Sequence, residues 1–194
     1  MEKREEAMEM ALETLQTDLP VTLFAKPVEY VLADHFRQRT LCSIVDEVAD
    51  AEVIDTALVA AILRFLKCEF GPHILDEEED LFPLLRRRAE ADDEINQVLG
   101  QLCQEHASDE ADAILIVDLL ENLLPEGKAK GLSTNDRELF KRFAANERQH
   151  LKLENAIILP LARVRLSEDD CKKLGKRMAA RRGIDLSDTR GHLK

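Results

Sequence analysis

Helix-breaking residues are scarce in this chain: its 194 residues include seven Gly and six Pro. With 45% apolar and 34% charged residues, that scarcity argues against a disordered chain or a turn-rich all-β fold and leaves long helices as the expectation. Positive charge is short as well. Lys and Arg total 27 against 39 Asp and Glu, for a formal net charge of -12, so the concentrated basic surface that nucleic acid or an anionic membrane requires is missing. The basic clusters Arg86-Arg87-Arg88 and Arg181-Arg182 fall where helices are expected to end, and read as solvated charges complementing the macrodipole there. No segment approaches a membrane-spanning run, and the start MEKREEAMEM lacks the apolar core of a signal peptide, so a cytoplasmic location is expected. Cys42, Cys68, Cys103 and Cys171 show no CxxC spacing, which makes reduced core thiols the expectation.

The length suits one all-α domain over residues 1–194. Apolar residues at Met8, Leu12, Leu15 and Leu19 predict an N-terminal helix over about 2–18, closed by Pro20. A second helix runs from Pro27 to about Ala51, with Val28, Val31, His35, Cys42 and Val45 near one stripe. The third, from about Asp55 to Arg88, carries Ile62, Phe65, Leu66, His73, Glu77, Leu81 and Leu84 to one side, and Gly71-Pro72 is expected to kink or interrupt it. A fourth spans about Asp92 to Leu124 before PEGKAKG breaks the pattern. The fifth starts at Ser133, where Ser-x-x-Asp136 resembles a capping box, and continues through Phe143, His150 and Glu154 to Leu161. A last helix, about 168–182, follows Ser167 and should stop at Gly183. Four long helices over about 27–165 with short connections predict an antiparallel up-down four-helix bundle, with additional N- and C-terminal helices.

Two stretches share one skeleton. HILDEEEDLFPLL begins at His73 and HLKLENAIILPLA at His150, so His73/Glu77/Pro83/Leu84 is matched by His150/Glu154/Pro160/Leu161. Glutamate four residues after histidine lies one turn along the same face, where both side chains can converge on one centre. Of the acids from Asp76 to Asp80, Glu77 has that spacing. Asp76 either orients a histidine or faces water, and Glu78, Glu79 and Asp80 rotate toward the surface or the bundle edge. Pro83 and Pro160 are expected to bend or end each helix just beyond, leaving the carbonyls of Glu79 and Ala156 without their donors.

The chain has five histidines, and His35, His73, His106 and His150 fall one per long helix on the inward stripe; His192 lies apart in the tail. A lone histidine on an apolar face is ordinarily a hydrogen-bonded core residue. Burying four with two carboxylates and no partners would cost several kcal/mol per group, whereas a metal centre turns the same groups into ligands. Imidazole with carboxylate and no thiolate suits iron, manganese or zinc. His35, His73, Glu77, His106, His150 and Glu154 are too many for a tetrahedral structural zinc. They suit two metals, each with two His and both spanned by Glu77 and Glu154, with iron the leading choice. An octahedral preference then leaves positions for an oxo or hydroxo bridge and one exogenous molecule.

These residues resemble the hemerythrin-like, or HHE cation-binding, domains. In that family a His comes from the first bundle helix, His-x3-Glu from the second, one or two His from the third, and a His with a carboxylate from the fourth. His35, His73/Glu77, His106 and His150/Glu154 follow that order, and LFPL and LPL look like the family's tails. The resemblance covers approximately Pro27 to Arg165. It implies a non-haem di-iron protein that binds dioxygen or a related small oxidant, nitric oxide or peroxide, for sensing, storage or protection. Turnover of peroxide or nitric oxide is the alternative, and an iron-binding interaction module is a third reading. One departure bears on this: oxygen-carrying members have a second His four residues along the third helix, where this chain has Glu110. That change disfavours simple reversible oxygen carriage. Glu110 is a ligand, a supporting group or an exposed acid beside Ser108, Asp109 and Asp112. Glu147 and Glu69 are further acids that could flank the centre. Ferritin-like Glu-x-x-His occurs once, at Glu147 to His150, and the segment 2–18 has no Cys of the kind found in repair-type di-iron proteins.

Overall fold

The structure, a computed structural model, describes residues 2–123 and 131–186. Leu124, most of the PEGKAKG break and His192 lie outside the described residues. Helix α1 is Glu2–Gln16, followed by a 3-10 turn at Val21–Ala25. Helix α2 is Pro27–Asp50, α3 spans residues 56–88, α4 is Ile95–Leu123, α5 spans residues 134–165 and α6 is Glu168–Arg181. Among the described residues there is no strand.

The helix starts follow local chemistry. Pro27 opens α2 with a preset φ, Asp55 caps α3 by accepting from the Ala57 amide at 2.8 Å, and Ser133 caps α5 by accepting from Asp136. Ser167 and Asp170 cap α6 reciprocally, and Gly183 stops the chain beyond it at φ 70. The fourth helix starts later than Asp92. Ala91–Asp93 forms a 3-10 turn tied by Glu90 and Asp93, and Glu94 takes a left-handed φ of 46, so the α ladder begins only at Ile95.

Three turns of α3 and α5 are widened to π geometry: Leu66–Phe70, Asp76–Leu81 and Glu154–Ile158. Each precedes an α segment whose second residue is proline, Pro72, Pro83 or Pro160. Proline lacks an N–H and its ring collides with the carbonyl four residues back. Opening the ladder to i→i+5 relieves both conflicts. The Phe82 amide accordingly donates to the Glu77 carbonyl and the Leu159 amide to the Glu154 carbonyl. Of the kink or interruption expected at Gly71-Pro72 and the bend or end expected at Pro83 and Pro160, interruption and ending do not occur: the helices run on, with Gly71 at φ -61, Phe82 at φ -63 and Leu159 at φ -67. The extra residue in the widened turn also shifts the stripe, so Leu85 is fully buried where Leu84 was expected.

Helix α2 packs along α5, α4 packs on α5, and α1 lies across α2 and α3. Two apolar clusters occupy the interior. One gathers Leu41, Cys42, Val45, Ile62, Phe65, Phe140 and Phe143; the other gathers Val31, Leu81, Phe82, Leu99, Leu102, Ile158 and Leu159. Each of α2 to α5 passes from one cluster to the other at its histidine. Apolar side chains therefore close off the histidine layer from both directions along the helices.

Helix α6 packs on α2, on the 3-10 turn and on the Asp76–Leu81 turn of α3. Its arginines meet buried acids there: Arg181 pairs with Asp76 and Asp80, Arg182 with Asp76 at 2.7 Å and Arg177 with Asp80 at 2.5 Å. Asp80 is therefore not an edge residue but 3% exposed, and Asp76 faces arginine rather than a histidine or water. Arg181 and Arg182 are counter-charges, not solvated helix-end charges. Glu79 does remain exposed. The cysteines are free, but only Cys42 is a core thiol; Cys68 is exposed, and Cys103 and Cys171 are half-buried.

Gly175 sets how closely α6 approaches. A Cβ there would overlap the backbone carbonyl of Phe24, which cannot swing aside as a side chain would. Alanine normally favours a helix by about 1 kcal/mol over glycine, but overpacking costs about 1–3 kcal/mol. Gly175→Ala is therefore expected to lower stability in urea denaturation, and a gain in stability would show that α6 can shift away from the 3-10 turn.

Candidate metal centre

The six residues singled out by spacing meet between the two apolar clusters. His35, His73, Glu77 and Glu154 form one group whose ligand atoms lie within 4.8 Å of one another, and Glu77, His106, His150 and Glu154 form a second. The two groups share both carboxylates. His35 Nε2 lies 3.5 Å from Glu77 and 3.3 Å from Glu154, His73 Nε2 3.4 Å from Glu77, His106 Nε2 3.3 Å from Glu77 and His150 Nε2 3.2 Å from Glu154. All six side chains are at most 3% exposed. The four Nε2 atoms and all four Glu77 and Glu154 oxygens are buried without a hydrogen-bond partner. Such atoms in a dry interior are costly unless something electrophilic sits among them.

The outer nitrogens are all engaged, and each by the neighbouring helix. Asp34 of α2 holds His73 Nδ1 at 3.0 Å; Glu78 of α3 holds His106 Nδ1 at 2.8 Å; Glu105 of α4 holds His150 Nδ1 at 3.1 Å; Asn155 of α5 holds His35 Nδ1 at 2.9 Å. The pattern closes on itself, α2 to α3 to α4 to α5 and back to α2. Each acceptor takes the Nδ1 proton and so leaves the Nε2 lone pair pointing inward, the tautomer a metal ligand needs. Asp34 is itself pinned by Arg37 at 2.9 Å. Phe82 stacks on His106 with an interplanar angle of 5°, fixing that ring further.

Sequence spacing did not reveal these four supports. The signal was adjacency: each stands next to a candidate ligand, Asp34 before His35, Glu78 after Glu77, Glu105 before His106 and Asn155 after Glu154. Each serves a histidine on a different helix, which no single-helix pattern contains. Glu78 was expected off the site and instead orients His106. Glu110 is exposed and lines a surface cavity of about 260 Å³ with Phe70, Gly71 and Ala113. Its neighbours Asp109 and Asp112 are by contrast buried, at 1% and 6%. Glu69 turns to Arg37 and Arg64, at 3.6 Å from each, and Glu147 is buried with Oε1 unpartnered.

Imidazole nitrogens and carboxylate oxygens, without thiolate, converging inside a helical protein define a class: a His/Glu cation-binding helical domain. The family model described as hemerythrin HHE cation binding domain matches residues 26–162, well over half of the chain, and the protein belongs to that family. A comparison with curated proteins finds no match. Among the described residues no helix is long and apolar enough to cross a membrane.

Without a cation, protons on His73 and His150 balance the buried carboxylate charge. Burial opposes the charged form of His73, but Glu77 and Asp34 outweigh it and push His73 up to about 10. His150 is likewise pushed up to about 10, with Glu154 outweighing burial. Burial opposes the charged form of Glu77 too, yet His73 and His106 hold it well below its ordinary range. The raised imidazoles stabilise the fold fully below their unfolded value of about 6.5 and lose that contribution as pH climbs toward about 10. Lowered Glu77 contributes above its unfolded value of about 4.3 and loses it as pH falls. Cation-free protein should therefore melt highest between about pH 4.5 and 6.5 and at falling temperature toward about pH 9. Circular dichroism melts check this, with Glu77→Gln expected to flatten the alkaline limb. A melting temperature unchanged across that limb in the wild type would contradict the charge assignment.

Proposed function

We propose that α2, α3, α4 and α5 form an antiparallel up-down four-helix bundle holding two iron ions. His35 and His73 would bind one, His106 and His150 the other, and Glu77 and Glu154 span both. The loaded centre would take dioxygen, nitric oxide or peroxide for sensing, storage or protection. The observation that carries the reading is the pair of overlapping donor groups sharing both carboxylates, whose inward atoms have no other partner. Six ligands exceed a tetrahedral zinc site, and the nitrogen and oxygen donors suit iron ahead of manganese or zinc. Bound iron would supply Lewis-acid and redox chemistry. The chain's own contribution is to fix each imidazole through its Nδ1 so that Nε2 faces inward, to keep two carboxylates in a dry layer, and to exclude water along the helix axes.

One observation favours turnover of peroxide or nitric oxide as a second reading. Asp109 and Glu147, buried at 1% and 2%, stand outside the six and supply acid-base groups, of which the sequence offered Glu147 through its Glu-x-x-His spacing but not Asp109. The two readings differ in stoichiometry. Reduced protein mixed anaerobically with limiting oxidant should consume about one molecule per centre if it binds, and many if it turns over.

Protein purified without a metal-affinity tag should contain about two irons per chain, and His73→Ala combined with His150→Ala should lose them. Equal iron in wild type and double variant would remove the assignment. Asp34→Asn keeps the ligand set but weakens the hold on His73, and should lower metal affinity about 10–100-fold. Iron affinity should also fall progressively as pH is lowered from about 10, because protons compete for the raised His73 and His150 imidazoles.

A further inference from the structure

We infer that α1 is coupled to the His35/His73 half of the centre through Arg37, a positioning residue that joins the end of α1 to the imidazole of His73, so that docking of α1 and occupancy of that half stabilise each other. The coupling deepens the iron-centre reading and rests on it for the occupancy step alone. Helix α1, Glu2–Gln16, lies outside the residues 26–162 matched by the family model, so it is an element this chain adds to the shared domain.

The connection is a line of buried polar contacts. The Leu15 carbonyl, in the last turn of α1, accepts from Arg37 Nη2 at 3.3 Å. Arg37 Nη1 donates to Asp34 Oδ1 at 2.9 Å, and Asp34 Oδ2 holds His73 Nδ1 at 3.0 Å. The inward nitrogen of the same ring, Nε2, faces Glu77 at 3.4 Å. Leu15, Asp34, Arg37 and His73 are at most 3% exposed, so the contacts act in a low-dielectric interior with little screening.

The last carbonyls of a helix lack intrahelical donors and carry its negative pole, and α1 has no basic residue in its own last turn. Arg37 of α2 and Arg64 of α3 supply the cations instead, with Arg64 Nη1 3.0 Å from the Leu15 carbonyl and Nη2 2.7 Å from Asp18. What lies behind the two arginines differs. Arg64 is 37% exposed and turns to Asp18 and Glu69, whereas Arg37 lies over the Phe65 ring at 5.1 Å and directs one nitrogen to α1 and the other to Asp34. A guanidinium is planar and rigid, so its two nitrogens cannot follow separate partners. Movement of the α1 carbonyl therefore strains the Asp34 bond, and Asp34 sets the orientation of the His73 ring. A cation held by His35 and His73 fixes that ring from the inward side, which fixes Asp34 and Arg37 and offers α1 a preset donor. By linkage the effect is equal in both directions.

Arg37→Gln breaks the shared fork while Arg64 still holds the end of α1. Leu99→Ala serves as the comparison, because Leu99 is fully buried in the apolar cluster that does not contain Leu15 and its loss destabilises the fold without touching the relay. In iron titrations, Arg37→Gln should fill one position with wild-type affinity and the other about 10–100-fold more weakly, whereas Leu99→Ala should fill both alike. Amide hydrogen exchange over residues 2–16 should be slower in iron-loaded than in cation-free protein for wild type and Leu99→Ala, and equal in the two forms of Arg37→Gln. In cation-free protein, the proton resonance of His73 Nδ1–H, assigned by its absence from His73→Gln, should be protected in wild type and lost to exchange in Arg37→Gln. Wild-type affinity at both positions in Arg37→Gln overturns the inference, as does the same loss at one position in Leu99→Ala or an α1 exchange rate indifferent to iron in wild type. If Arg37→Gln does not fold, the wild-type exchange difference decides alone. If wild type takes up no iron, the iron reading fails, and the His73 resonance decides whether the relay stands.

Discussion

The structure turns on a set of polar atoms that have nothing to bond to. Four imidazole nitrogens and four carboxylate oxygens face one another in an interior closed by apolar side chains. With neither a proton nor a cation among them such atoms oppose folding, since each unpaired group gives up water for nothing. The rest of the molecule makes it tolerable. Asp34, Glu78, Glu105 and Asn155 hold the outer imidazole nitrogens around a closed circuit of helices, so no ring can rotate to seek another partner. A centre built this way is oriented before anything binds, and the ordering cost falls on folding rather than on binding.

The prolines show how a local conflict becomes a positioning device. Pro83 and Pro160 sit beyond the two His/Glu pairs, and each is preceded by a π turn that begins at or just before its glutamate. Widening there gives the Glu77 and Glu154 carbonyls a donor five residues on instead of four. The helices can then continue, carrying Leu81, Phe82, Leu85, Ile158 and Leu159 into the apolar cluster on that side of the centre. The sequence repeat of His, Glu and Pro-Leu is thus one structural solution used twice.

Charge distribution follows the same logic. A chain with net charge -12 places several acids inside, and spends its arginines on them. Arg37 holds Asp34; Arg177, Arg181 and Arg182 cover Asp76 and Asp80; Arg142 holds Asp112. Asp109 and Glu147 stand apart in having no arginine bound to them, with both Asp109 oxygens and Glu147 Oε1 buried without a hydrogen-bond partner.

The helices, their caps and the six converging side chains were legible in the sequence because the rules that set them are local. A 3.6-residue period places His35, His73, His106 and His150 on inward stripes, and i,i+4 spacing sets Glu77 and Glu154 beside their histidines. Ser133, Ser167 and Gly183 mark ends through bonds to their own neighbours. What only the tertiary structure decided depends on a second helix. Asp109 and Glu110 are adjacent and chemically alike, yet the packing of α5 buries the first and leaves the second at the surface. Asp80 is interior because α6 brings arginines to it, and each imidazole's outer partner comes from a different helix. A proline announces a missing donor, but whether the chain bends, ends or widens is set by which residues beyond it must reach the core. Periodicity describes one helix at a time, whereas burial, pairing and protonation arise where helices meet.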